Sequence, residues 1–266
     1  MKVNNYLIAS LPDLQWEGDI KGTLQDFLDQ HEALLEPYMP AVNTILLYNE
    51  IRNLELLLRK RTSDDHDYGD LFAPGILSED EMTKFLEMPI VNQPEEYPDY
   101  MVDFLMKHHD DTDRLKSVEE LYQDYFNDTK DSSSPFISFF ARTVHAVRTI
   151  TMAFRLQQAD IPLEERLIGD EEIVETIINH RNSTDFGLKG VFPEIGELLS
   201  TFEKPVLDRE RELDLFIIHL LSQYREDDLF GDHVIYLYIL SLFFRDRWVL
   251  IDEEEGRRVV EEILQG

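Results

Sequence analysis

The chain has 266 residues, no cysteine, and 25 Lys+Arg against 55 Asp+Glu, a formal net charge of −30. That balance argues against nonspecific nucleic-acid binding, which needs Lys/Arg clusters, and against docking on anionic lipid. Hydrophobic residues at 43% suffice for a packed core, and the absence of Cys excludes disulfides, thiolate zinc sites, iron–sulfur clusters and a cysteine nucleophile.

Taken in chain order, the opening MKVNNYLIASLPDL has too short an apolar stretch before Pro12 and Asp13 for a signal peptide. Tyr6–Ser10 is the only place where a short strand is conceivable. Helical period dominates from there. Leu24, Phe27, Leu28 and Leu34 form one stripe of a helix over 23–35. Pro40 suits a first helical position, and a long amphipathic helix runs from it to Arg61. Ser78 with Glu81, and Ser117 with Glu120, read as capping boxes. Ser134-Pro135 opens another long helix to about Ala159. Further helices are predicted near 170–180, 193–202, 206–225, 230–250 and 253–264. Breaks fall at 62–75, 89–98, 127–135 and 182–192, none long enough for a disordered linker. The expected fold class is all-α, one compact helical protein over 1–266. The longest apolar run, Val234–Phe244, is about half a membrane span. Its default place is the core, with a partner interface as the other option. The expectation is a soluble, cytoplasmic protein.

The chain also repeats. A shift of 96 residues carries Ile51 onto Val147, Arg52 onto Arg148, Leu54 onto Ile150, Leu58 onto Phe154 and Arg59 onto Arg155. A further 97 residues carry Arg148 onto Arg245, while Asp252 takes the place of Arg59 and Arg155, so the third copy is degenerate. Each copy is followed by an acidic segment with a short helix: LFAPGILSEDEM, ADIPLEERLIGDEEIVETI and IDEEEGRRVVEEIL. Three degenerate repeats are therefore expected, with core helices near 40–61, 135–159 and 230–250.

NEIRNLELLLRKR (49–61), the P-G-x-L-S of Pro74–Ser78 and ADIPLEERL resemble the C-type subunit of archaeal and bacterial V/A-type ATPases, whose eukaryotic equivalent is the d-type subunit. YLIASLPDL (6–14) also resembles an uncharacterised bacterial family encoded within V-type ATPase operons. The resemblance implies three pseudo-symmetric helical lobes around a funnel and a non-catalytic place in the central rotor. Its implied partners are the membrane rotor ring and the foot of the central shaft, which is the D-type subunit. The protein would be peripheral to the cytoplasmic side of the membrane through protein contacts, serving ion transport without a cofactor or metal of its own.

Motifs that carry chemistry are sparse. No phosphate-binding loop, dinucleotide fingerprint or nucleophile elbow occurs. Asp64–Asp70 departs from an EF-hand loop and reads as a solvated acidic loop. His66-Asp67 followed by His109-Asp110 imitates the ligand pattern of helical metal-dependent phosphohydrolases, the enzyme alternative; an unrelated helical adaptor is the third. A helix end running into a polar loop is the preferred reading of His108–Asp113. Arg52, Arg59, Arg148, Arg155 and Arg245 read as ion-pair residues or as groups that bind carbonyls and carboxylates where lobes join, in neither case as catalysts. His145, flanked by Arg142 and Arg148, is expected on the polar face of its helix.

Overall fold

A computed structural model of the chain describes residues 3–12, 22–62, 71–108, 114–224 and 231–249. Every regular element among them is helical: α1 (Val3–Ser10), α2 (Leu24–Leu35), α3 (Met39–Thr62), α4 (Glu79–Glu87), α5 (Asp99–Lys107), α6 (Arg114–Thr129), α7 (Pro135–Gln158), α8 (Leu163–Arg166), α9 (Glu171–Asn179), α10 (Ile195–Thr201), α11 (Val206–Ser222) and α12 (Asp232–Val249). Among the described residues no helix is long and apolar enough to cross a membrane. The helices gather into two compact units, Gly22–Ser134 and a terminal unit that joins Met1–Lys21 to Pro135–Gly266.

Two expectations are corrected here. Tyr6–Ser10 is not a strand but most of α1, with Leu7 fully buried and the Ser10 hydroxyl donating to the Leu7 carbonyl at 2.7 Å. Ser117 is not a helix cap, because α6 already begins at Arg114. The Glu120 carboxylate instead accepts from Lys107 Nζ at 2.5 Å and faces His108 Nε2 at 3.4 Å. The helix predicted at 253–264 and the loop Asp64–Asp70 lie outside the described residues.

In the 22–134 unit α3 packs on α6 through aromatic rings. Tyr48 meets Tyr122, Tyr125 and Phe126 with ring centroids 5.7–5.9 Å apart. Rings tilted in this way contribute beyond their buried area. Two of the phenols keep a polar partner that ties the helices further: Tyr125 Oη donates to the Thr44 carbonyl at 2.9 Å and Tyr122 Oη to Glu55 at 3.0 Å. Two helix starts in this unit carry capping boxes. Thr23 and Asp26 form a reciprocal box before α2, and Ser78 and Glu81 form one before α4. A cap of this kind is worth about 1 kcal/mol.

In the terminal unit α7 is buried on most of its circumference: its own Phe136, Ile137, Phe140, Val144, Val147 and Ile150 are all buried. His145 is therefore buried, contrary to the polar-face expectation. The apolar run of α12 is core: Ile235, Ile239 and Leu240 are fully buried.

Both α3 and α7 have 24 residues, and α4 and α9 have 9. In the terminal unit Thr149 Oγ1 accepts the backbone N–H of Asp170 at 3.0 Å, and Asp170 in turn caps α9 by accepting from Ile173 N–H. The approach needs glycine beside it, since a Cβ on Gly169 would lie 2.0 Å from Thr149 Oγ1.

That contact yields a prediction. Gly169→Ala should cost about 1–3 kcal/mol by overpacking, and Thr149→Ala about 1 kcal/mol through the lost hydrogen bond. Removing Oγ1 and Cγ2 relieves part of the clash, so the double variant should cost less than the sum in urea denaturation. Additivity to within about 0.5 kcal/mol would contradict the close approach.

Candidate functional site

The strongest concentration of buried polar chemistry lies on α3 in the 22–134 unit. Glu50 occupies the stripe of Leu46, Leu47, Leu54 and Leu57, all of them buried, and is itself fully buried. Asn49 and Asn53, one residue before it and three after, are buried too. Three polar residues on the core side of a helix need partners, because an unmet buried donor or acceptor costs about 1–3 kcal/mol and a charge more.

The strap between α3 and α4 supplies them. Glu50 Oε1 accepts the Ile76 N–H at 2.8 Å, and Oε2 accepts the Leu77 N–H at 3.4 Å and the Tyr97 hydroxyl. Asn49 Nδ2 donates to the Pro74 carbonyl at 3.1 Å, across a strap that contains a cis Ala73–Pro74 bond. Asn53 works both ways, accepting the Phe72 N–H at 2.7 Å and donating to the Phe72 carbonyl at 3.1 Å. The Arg52 guanidinium lies 3.8 Å over the Phe72 ring. Gly75 admits the carboxylate, since a Cβ there would fall 2.6 Å from Glu50 Oε1. Tyr97 is fixed by packing edge-on against Phe85 of α4 at 5.1 Å. One carboxylate on α3 thus binds the strap and the segment ahead of α5, and Tyr97 carries the contact on to α4.

Burial raises the Glu50 pKa, and the bonds from Tyr97, Ile76, Leu77 and Asn53 oppose that rise. Burial, and then the Glu50 charge, push the Tyr97 phenol up, so it remains a donor. Both carboxylate oxygens are engaged by donors, which makes the group a clamp on the backbone.

The terminal unit has a second polar cluster. Buried Asp214 of α11 accepts from Trp248 Nε1 at 2.7 Å and from Arg247 Nη1 at 3.2 Å. Glu210, one turn earlier, takes Arg155 of α7 at 2.6 Å and Arg247 of α12 at 3.4 Å. Three helices are thereby tied. Among the described residues no group of three or more His, Asp or Glu is arranged to hold a metal ion. His66, Asp67, His109 and Asp110 lie outside the described residues.

The five predicted arginines separate. Arg59 and Arg155 are each about half exposed and paired with a glutamate, Glu55 and Glu210, at 2.6 Å. Exposed pairs of this kind contribute about 0–1 kcal/mol. Arg52 covers the strap, Arg148 is half-buried, and Arg245 is buried against Asp246 at 3.0 Å. Sequence reasoning missed Glu50, Asn49, Asn53, Tyr97 and Asp214. A signal existed for Glu50, a charge set in a Leu stripe at helical spacing, and for the strap, a Pro-Gly one turn short of a capped helix.

Fold and site define an all-helical protein whose long helix holds its own following strap through buried polar side chains. The chain belongs to the family described as "Protein of unknown function (DUF2764)", whose model matches residues 1–266. It is similar to uncharacterized proteins of three Chlamydia species: 22% identical over 195 residues in Chlamydia pneumoniae, covering 72% of this chain and 73% of that one; 19% over 201 residues in Chlamydia muridarum, covering 73% and 74%; and 20% over 205 residues in Chlamydia trachomatis, covering 73% and 74%. No solved structure matches.

These findings correct the kinship with the C-type or d-type subunit of V-type ATPases. The matched family spans the whole chain, and none of these relatives carries a V-type ATPase name; the operon likeness drawn from residues 6–14 has no support in them either. A physical reason explains the misreading. NEIRN and P-G-x-L-S are the two sides of one helix–strap contact, a solution open to any helix that holds such a strap.

The clamp generates two predictions. Glu50→Ala strands three donors and should cost about 3 kcal/mol or more. For pH, a folded pKa raised above the ordinary 4.5 contributes stability that is fully present below that value and is lost as pH rises through the raised one. The stability of wild type minus that of Glu50→Gln should therefore shrink as pH rises above the ordinary value of 4.5 in urea denaturation. A difference that stays flat or grows would refute a raised carboxyl.

Proposed function

We propose that the protein is a non-catalytic component of the central rotor of a V-type ATPase, coupling the shaft to the membrane ring during ion transport. This reading concerns role and not descent from the C-type subunit. The observation that carries it is the recurrence of one build. A 24-residue helix, a glycine pressed against one of its polar side chains and a nine-residue capped helix occur as α3, Gly75, α4 and again as α7, Gly169, α9. Asn53 and Thr149, the latching residues, coincide under the same 96-residue shift that relates Arg52 to Arg148. The start of α12 at Asp232, 97 residues after Pro135, supplies the first part of a third copy.

Three related lobes about a pseudo-threefold axis, the finer fold proposed here, suit a part seated on a ring and turned by a shaft. A torque-bearing part must not hinge between its helices and their connections. Buried polar latches that cost several kcal/mol to break meet that need. The −30 charge suits a basic shaft foot and gives long-range steering. A peripheral place on the cytoplasmic side, reached through protein contacts alone, belongs to the same proposal.

Stopped-flow binding to a purified shaft protein across a salt series tests the role. Association should slow markedly as salt rises, because exposed charges are screened beyond about 8 Å at physiological ionic strength, while dissociation changes less. No binding at low salt would count against the coupling role and favour an unrelated helical adaptor. The isolated protein should hydrolyse neither ATP nor phosphoesters with Mg²⁺ or Mn²⁺; turnover lost on His109→Ala would favour the phosphohydrolase.

A further inference from the structure

One surface feature is unaccounted for by the core, the clamp or the proposed role. Met88, Ile90 and Val91, in the turn that follows α4, are 54%, 68% and 75% exposed. Large apolar side chains scattered singly on a surface need no explanation, whereas three within four positions form a patch.

The turn is built to present them. Its backbone is pinned by Val91 N–H and Asn92 N–H donating to the Met88 carbonyl at 3.2 and 3.1 Å. Asn92 Nδ2 adds bonds to the carbonyls of Lys84 at 2.9 Å and Met88 at 3.2 Å, so the turn is stitched to the end of α4. Pro89, between the exposed residues, is buried. The mount beneath is firm as well. Met82, Phe85 and Leu86 of α4 are buried, and Tyr97 at the far end of the segment is held by Glu50. A tip fixed before binding loses little conformational freedom when it docks.

Charge selects the occupant. Glu87, Glu95 and Glu96 flank the tip in sequence and are exposed. Arg61 faces Glu87 and Lys84 faces Asp80. A second copy of a −30 chain and an anionic membrane are both repelled by such a rim. A surface that offers apolar residues flanked by Lys and Arg is attracted by the rim and buries the tip. We propose that the Met88–Val91 turn is a docking tip for a basic amphipathic helix of another protein. The inference stands apart from the rotor role, since nothing in it requires an ATPase component.

The test uses the full chain and a synthetic Leu/Lys amphipathic helix carrying a fluorophore, followed by polarisation. The Ile90→Ser/Val91→Ser variant, altered only at exposed positions, should keep the wild-type melting temperature and bind at least about tenfold more weakly. Ile90→Ser alone should lie between. Ile161→Ser, at an exposed apolar position in the terminal unit, should leave binding unchanged, and a Leu/Glu helix should not bind. Equal binding by wild type and the double variant, or equal weakening by Ile161→Ser, would overturn the proposal by reducing the effect to general charge attraction. No binding of the Leu/Lys helix would overturn it too, as would tip-dependent self-association or tip-dependent binding to phosphatidylglycerol vesicles.

Discussion

A carboxylate buried on the core side of a helix dictates much of the 22–134 unit. Glu50 sits where Leu would otherwise belong, and an unanswered charge there would cost several kcal/mol. Domain stabilities run to only about 5–15 kcal/mol, so donors have to reach it. The strap delivers two backbone N–H groups and Tyr97 a hydroxyl. Asn49 and Asn53 fix the strap on either side. The strap then leads directly into the Ser78–Glu81 box that starts α4, and Tyr97 sets the segment that leads to α5. Helix, strap and the segment ahead of α5 are joined through that one placement.

The terminal unit meets a similar need with neutral groups. Thr149 holds the Asp170 N–H and Gly169 makes room for it. Charge enters instead between helices, where Asp214 is answered by Arg247 and Trp248. The connection after α3 is thus sensitive to protonation through Glu50, while the corresponding connection after α7 relies on a hydroxyl.

Local chemistry made parts of this fold legible in the sequence. The start of α7 at Pro135, the Ser78 cap and the buried run of α12 each follow from one residue type in one setting. Tyr6–Ser10 misled because a short apolar run fits strand and helix alike. Ser117 misled because a capping pattern also occurs inside helices; here the apolar period of Leu115, Val118, Tyr122 and Tyr125 begins upstream of it. The repeating arginines drew attention for their charge, yet Arg59 and Arg155 are half-exposed partners of glutamates. The residues that hold the structure, Glu50 above all, are legible only once the strap that answers them is known. That long-range pairing leaves no periodic trace. The same pairing, read as a family motif, suggested the wrong kinship.

The proposed role is tested most directly by native mass spectrometry of a V-type ATPase purified from cells that carry this chain. The account predicts a stoichiometric 31.4 kDa component that stays with the shaft and ring when the catalytic head is stripped away. A complete, coupled rotor lacking this chain would contradict it.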